Sequence, residues 1–106
     1  SSREVRFAGM RVHWTETAEN HLAAIHNYIA QNSPEYAQRM VDRLTRRSQQ
    51  ISDFPLSGRR VPEYDADQIR EMIEESYRII YHIKPDQIDV LCVIHSAMNV
   101  LSSDKK

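Results

Sequence analysis

Two glycines, four prolines and one cysteine are all that 106 residues contain of the types that bend, break or cross-link a chain. So little glycine leaves no room for a glycine-rich loop that wraps a phosphate with its backbone amides. A single cysteine excludes an intramolecular disulfide and a cysteine-built zinc site. Cys92 lies in a Val-Leu-Cys-Val-Ile run and reads as a small buried hydrophobe rather than a nucleophile. Long apolar stretches are also missing: the longest lies near Leu91 to Ile94, far short of the ~20 residues that cross a bilayer. No basic segment followed by an apolar run opens the chain, so nothing marks it for secretion and the cytoplasm is the expected compartment. Nor is there an excess of either charge. With 14 basic and 15 acidic residues the net charge is −1, which favours neither nucleic acid nor an acidic membrane as a direct partner.

What is present is an ordinary globular composition, 41% hydrophobic and 27% charged, in a length that closes one core and not two. The charge is unevenly spread. From Arg39 to Arg60 six arginines stand against two aspartates, and from Glu63 to Glu75 six acids stand against Arg70 alone. Such blocks serve as solvated faces or as partner-binding surfaces. Residues 1–9, opening Ser1-Ser2, read as a leader or extension, which places a single domain at 10–106.

Arg11-Val12-His13-Trp14 alternates in polarity and predicts a short strand. Thr15, with Glu16 and Glu19 behind it, supplies a capping oxygen and negative charge at a helix start. Ala18, Leu22, Ile25 and Ile29 then recur on one helical face. Ser33-Pro34 ends that helix and begins another, serine as N-cap and proline at the first helical position. The second stripe is Ala37, Met40, Val41, Leu44 and Ile51, with Arg39, Arg43, Arg46 and Arg47 on the other face. So short a linker makes the pair an antiparallel hairpin. Phe54 to Gly58 predicts a loop, with Gly58 marking an unusual torsion. Three strands follow, Ile69 to Glu74, Tyr77 to Ile83 and Ile88 to His95, the last two joined through Pro85-Asp86.

With Pro85 and Asp86 as the central turn residues, the last hairpin pairs Ile83 with Ile88, Tyr81 with Val90, Ile79 with Cys92 and Tyr77 with Ile94. That apolar face belongs against the helices. The opposite face pairs His82 with Asp89, Ile80 with Leu91 and Arg78 with Val93, and His95 lies diagonal to Arg78. A guanidinium and an imidazole then converge among Ile80, Leu91, Val93 and Met72 on an uncovered surface, which is what a docking site requires.

Trp14 with Ala18, Tyr28-Ile29-Ala30, Phe54-Pro55 before Gly58-Arg59, Val61-Pro62-Glu63, Ile69-Arg70-Glu71, Tyr77-Arg78-Ile79-Ile80-Tyr81 and Val93-Ile94-His95 follow one another in an order that resembles the RelE/ParE superfamily of toxins from type II toxin–antitoxin modules. The resemblance runs from Arg11 to about Met98 and is closer to the ParE branch. It implies an α+β fold: an N-terminal strand, then an antiparallel two-helix hairpin packed on a mostly antiparallel sheet completed by three C-terminal strands. It also implies one of two activities. RelE-like members cleave messenger RNA on the ribosome, and for that role Arg78 matches a phosphate-binding arginine, with His95 as general acid or base and Arg59 as a third candidate. Against it, Ile69 and Glu71 stand where those nucleases keep a basic pair, Met98 stands for their arginine beyond the last strand, and no tyrosine follows His95.

ParE-like members are described as poisoning DNA gyrase, and they typically show the Pro-x-x-Gly-Arg loop, the Tyr-Arg strand and the Val-x-His ending found here. On this preferred reading the chain acts by binding and carries no catalytic residues. The expected partner-binding set is Arg59, Arg60, Arg78, Ile80, Leu91, Val93, His95 and Met98, with the tail from Met98 to Lys106 contributing to toxicity. The expected partners are a cognate antitoxin, ParD-like or other, and gyrase, or the ribosome with mRNA under the alternative. Operator DNA is reached only through the antitoxin, as in plasmid stabilisation modules, and no cofactor, metal or membrane is implied. Each residue also has a plainer reading. Arg78 suits an ion pair with Glu71 or Glu74, His95 a hydrogen bond at a strand end, Arg59 and Arg60 loop stabilisation, His82 a cross-strand pair with Asp89, and Trp14 the core.

Overall fold

Thr15 sets where the first helix begins and what it rests on. Its Oγ1 accepts from the Ala18 amide at 3.2 Å and donates to the Val90 carbonyl at 2.7 Å, so one hydroxyl caps α1 (Glu16–Ala30) and ties its start to the sheet. The computed structural model describes residues 10–96; the expectations for residues 1–9, for Met98 and for the tail lie outside that range. Before α1 runs β1 (Arg11–Trp14), and after it Ser33 caps α2 (Pro34–Gln50) by accepting from the Tyr36 amide at 3.2 Å. Ala37, Met40, Leu44 and Ser48 form the buried stripe of α2, at steps of three and four. The Trp14 indole donates to Ser48 Oγ at 3.2 Å, which satisfies the one polar atom that the ring carries inward.

Five strands form one sheet among the described residues. They are β1, β2 (Arg59–Arg60), β3 (Ile69–Glu74), β4 (Tyr77–Ile83) and β5 (Gln87–His95), in spatial order β1-β5-β4-β3-β2. Only β1 with β5 is parallel; the others are antiparallel. The expected α+β architecture is thus present, with β2 added, a two-residue strand too short to show a period. The helices cover one side of the sheet, where Ala18, Met40, Leu44 and Ile51 meet Met72, Ile79, Tyr81, Ile88, Val90 and Val93.

The β4–β5 register departs from the expected one after three pairs. Ile83 meets Ile88, His82 meets Asp89 and Tyr81 meets Val90, as the Pro85-Asp86 turn requires, with Lys84 N donating to Gln87 O at 2.8 Å. A bulge at Leu91 then moves everything by one, so that Ile80 faces Cys92, Ile79 faces Val93, Arg78 faces Ile94 and Tyr77 faces His95. The cause lies in α1: Thr15 Oγ1 also reaches the Leu91 carbonyl at 3.2 Å, and Thr15 N donates to Val90 O at 3.1 Å, so the helix start grips the bulged backbone. With period two, the shift sends Val93 and His95 to the helix side, and Cys92 and Ile94 to the outer side. Asp89 stands opposite His82 as expected, and its carboxylate bonds Lys84 at 2.6 Å and Gln87 at 2.7 Å.

That outer side is not open. Val61 and Tyr64, on the segment that follows β2, pack with Ile69 and Leu91 over Ile80, Cys92 and Ile94 to make a second small core. The expected uncovered face is therefore corrected: the acidic segment 61–68 carries enough apolar surface to cover it. Gly58 is corrected too. Its φ of −73° is ordinary, and what demands glycine is proximity, since a Cβ there would stand 2.2 Å from the Tyr81 hydroxyl and 2.7 Å from the Glu71 carbonyl. Tyr81, fully buried, donates to the Pro55 carbonyl at 2.7 Å and so holds the 3-10 turn at Pro55–Ser57 against the sheet. Among the described residues no helix is long and apolar enough to cross a membrane.

Candidate functional site

Arg78, on the outer face of β4, is held from two sides. Its Nε donates to Glu71 Oε1 at 2.6 Å, and Nη1 and Nη2 fork onto Glu63 Oε2 and Oε1 at 2.9 and 2.8 Å. The other Glu71 oxygen accepts from Arg59 Nε. Glu71 is wholly enclosed and Arg78 nearly so, whereas the Arg59 side chain is 64% exposed. Among the described residues two guanidiniums thus meet two carboxylates, and the planar fork of Arg78 is used bidentately. The bond to Glu63 chiefly, and then Glu71, hold the Arg78 pKa well above its ordinary value despite the opposing effect of burial.

The strands dictate this arrangement. Antiparallel pairing of β3 with β4 places Glu71 opposite Ile80 and Ile73 opposite Arg78, all on the outer face. β2 then sets Arg59 opposite Glu71. Glu63 arrives from the covering segment, so its pair with Arg78 clasps that segment to the sheet. A guanidinium so engaged would have to release both carboxylates to receive a phosphodiester, and would leave buried acids uncompensated.

His95 ends β5 on the opposite, helix-facing side. Its ring meets Tyr77 edge-on at 5.9 Å between centroids. The two border a cavity of about 440 Å³ that His21, Ala24, Ile25, Tyr28, Val93 and Ile94 complete. There the Val93 amide donates to His21 Nδ1 at 3.3 Å. Burial, with Tyr36 and Tyr28 nearby, pushes the Tyr77 hydroxyl pKa up. Arg78 and His95, expected to converge, are on different faces of the sheet.

Of the other expected site residues, Arg59 joins Arg78 through Glu71, while exposed Arg60 reaches Asp65 at 3.0 Å and Asp67 at 3.2 Å. Ile80 is completely buried beneath the covering segment and Val93 is in the helix-side core, so neither offers surface to a partner. Leu91 is half-buried at the bulge and His95 is exposed. Sequence reasoning missed Glu63 as the principal ligand of Arg78, although Val61-Pro62-Glu63 is a quoted motif. The available signal was an acid directly after a proline in a turn, which Tyr64 N closes by donating to the Val61 carbonyl at 3.0 Å. Among the described residues no group of three or more His, Cys, Asp or Glu side chains is placed to hold a metal.

Two solved toxin–antitoxin structures share the fold of a helical hairpin on a mixed sheet. The chromosomal ParDE toxin–antitoxin system from P. aeruginosa shares it at a TM-score of 0.69 and 21% identity, over 81% of this chain and 95% of that one. The toxin–antitoxin complex RelBE2 from Mycobacterium tuberculosis shares it at 0.62 and 19%, over 88% and 98%. No curated protein matches the chain. Residues 12–100 match the ParE toxin of the type II toxin–antitoxin system, parDE, and the chain belongs to that family.

Proposed function

We propose that this toxin arrests growth by binding DNA gyrase, without bond chemistry of its own, and that a cognate antitoxin, ParD-like or other, neutralises it. One observation carries the reading: the arginine that a RelE-like nuclease would turn toward phosphate is occupied by Glu63 and Glu71, and His95 is on the other side of the sheet. Phosphodiester cleavage needs a cation and a titratable group at one reacting atom, and these two do not share one. The exposed members of the expected partner-binding set, Arg59, Arg60 and His95 with half-buried Leu91, remain the proposed contacts. Gyrase acts in the cytoplasm, so that is the proposed site of action, and operator DNA is reached only through the antitoxin.

The test sets supercoiling by purified gyrase against mRNA cleavage in a translating extract, each with the chain added. Inhibition of supercoiling that weakens in Arg59→Ala or His95→Ala, with no new mRNA ends, is expected. Cleavage that Arg59→Ala or His95→Ala abolishes would replace the proposal with a ribosome-dependent endoribonuclease.

A further inference from the structure

β3 is paired along its whole length by β4 but only half-paired on its other side. β2 meets it at Arg70 and Glu71 and no further. At Gly58 the chain turns off into the Pro55–Ser57 turn, so no strand lies beside Met72, Ile73 and Glu74 on that side among the described residues. Ladder alternation says which backbone groups this strands. The Ile69 carbonyl accepts from Val61 N–H on the β2 side, and the Gln68 carbonyl accepts from Ile83 N–H on the β4 side. Residues 69, 71 and 73 therefore point their N–H and C=O groups outward, and Ile73 presents both to an empty edge.

The edge opens into a groove of about 700 Å³, bordered by Met72 and Ile73 on one side and by Arg47, Gln50 and Phe54 on the other. Phe54 is 70% exposed, and Ile73 shows more side chain than any other hydrophobic residue of the strands. Cations dominate its helical wall. Arg47 Nε is buried without a hydrogen bond, its nearest carboxylate oxygen being Glu74 Oε1 at 3.5 Å. Arg46 has no carboxylate within 4 Å among the described residues, and Arg59 extends into solvent beyond Glu71. The acids present are Asp53, Glu71, Glu74 and Glu75. Glu71 is committed to Arg59 and Arg78, Glu74 is divided between Arg43 at 3.8 Å and Arg47 at 3.5 Å, and Glu75 pairs with Arg43.

From these we infer that the β3 edge receives an extended, acidic and aliphatic segment of a protein partner as an added strand. Ile73 supplies two ladder bonds, Phe54 and Ile73 seat an aliphatic side chain, and Arg47 with Arg46 receives a carboxylate. A helix would leave the Ile73 amide and carbonyl unpaired, and a basic strand would face Arg47. The inference deepens the proposed function by stating how a partner of the toxin would be held.

The probe is a capped peptide of about seven alternating valine and glutamate residues, titrated into the full 15N-labelled chain. Saturable shifts centred on Ile73, with slowed exchange of its amide, are expected, together with at least about tenfold weaker binding of the valine–lysine peptide. Arg47→Glu, at a half-buried position of α2, should reverse that preference. A valine–glutamate peptide N-methylated at alternate positions, which cannot form the ladder, should not bind. Equal binding by the N-methylated or the lysine peptide overturns the inference, as does an Ile73 amide that stays unmoved at millimolar peptide. Ile73 shifts that grow with protein concentration alone would give the edge to a second copy and overturn it as well. The supercoiling assay is independent: inhibition without peptide binding removes only this inference, and peptide binding without inhibition removes only the gyrase reading.

Discussion

Arg78 is where the cost of a single change is highest. Removing its side chain leaves Glu63 and Glu71 facing each other with reduced compensation, and breaking an enclosed ion pair in this way costs about 3–5 kcal/mol. Arg78→Ala is therefore expected to lower the denaturant midpoint sharply, while Glu63→Gln, which retains an acceptor, loses less; equal losses would mean that the Glu63 contact carries no charge dependence. Lys84 and Asp89 offer a pH test. The hydrogen bond from Lys84 lowers the Asp89 pKa from its ordinary 3.8, and the same bond raises that of Lys84 from 10.5. A lowered acid stabilises above its ordinary value and loses that contribution as pH falls through the folded value. A raised base does so below its ordinary value and loses it as pH rises through the folded one. The stability difference between the chain and Lys84→Met should be flat from about pH 5 to 9 and shrink on both sides, as denaturation across pH would report. Sequence reasoning anticipated an ion pair at Arg78, because a cation between apolar strand residues calls for an acid. It did not find Glu63, 15 positions earlier, since no period connects a loop to a strand.

At the scale of elements, the helices were the most legible, because capping and 3.6-residue periodicity act within the segment itself. The two caps differ in reach, and that gives a prediction. Ser33 bonds only the first turn of α2, so Ser33→Ala should cost ~1 kcal/mol. Thr15 caps α1 and also donates to Val90 O, so Thr15→Ala should cost about twice as much in thermal denaturation. Comparable losses would mean that the grip on β5 adds nothing. The β4–β5 hairpin was legible for three pairs out from its turn and not beyond, because a turn dictates register only until a bulge interrupts it. Nothing in Val90-Leu91-Cys92 distinguishes the residue that will bulge. The choice is made by a threonine 76 positions earlier, through its bond to the Leu91 carbonyl.

For the whole molecule, the strap from Val61 to Gln68 has the largest consequence. It turns a face that strand patterning leaves open into a second core, and it buries Cys92 there. Cys92 is therefore a built-in reporter: thiol labelling should be slow, track opening of the strap and accelerate severalfold in Glu63→Gln, which weakens the clasp. Unchanged labelling would mean that Cys92 is exposed by a different motion. Alone, the sequence determined the helices, the three long strands, the α+β class and the kinship with the ParE and RelE toxins, since each rests on patterns of near neighbours or on motif order. Only the tertiary structure decided which sheet face lies under cover, that Arg78 is clasped, and that His95 looks the other way. Those outcomes turn on a one-residue shift in pairing and on contacts between segments far apart in the chain, where a period-two strand reverses every side chain for a single inserted residue.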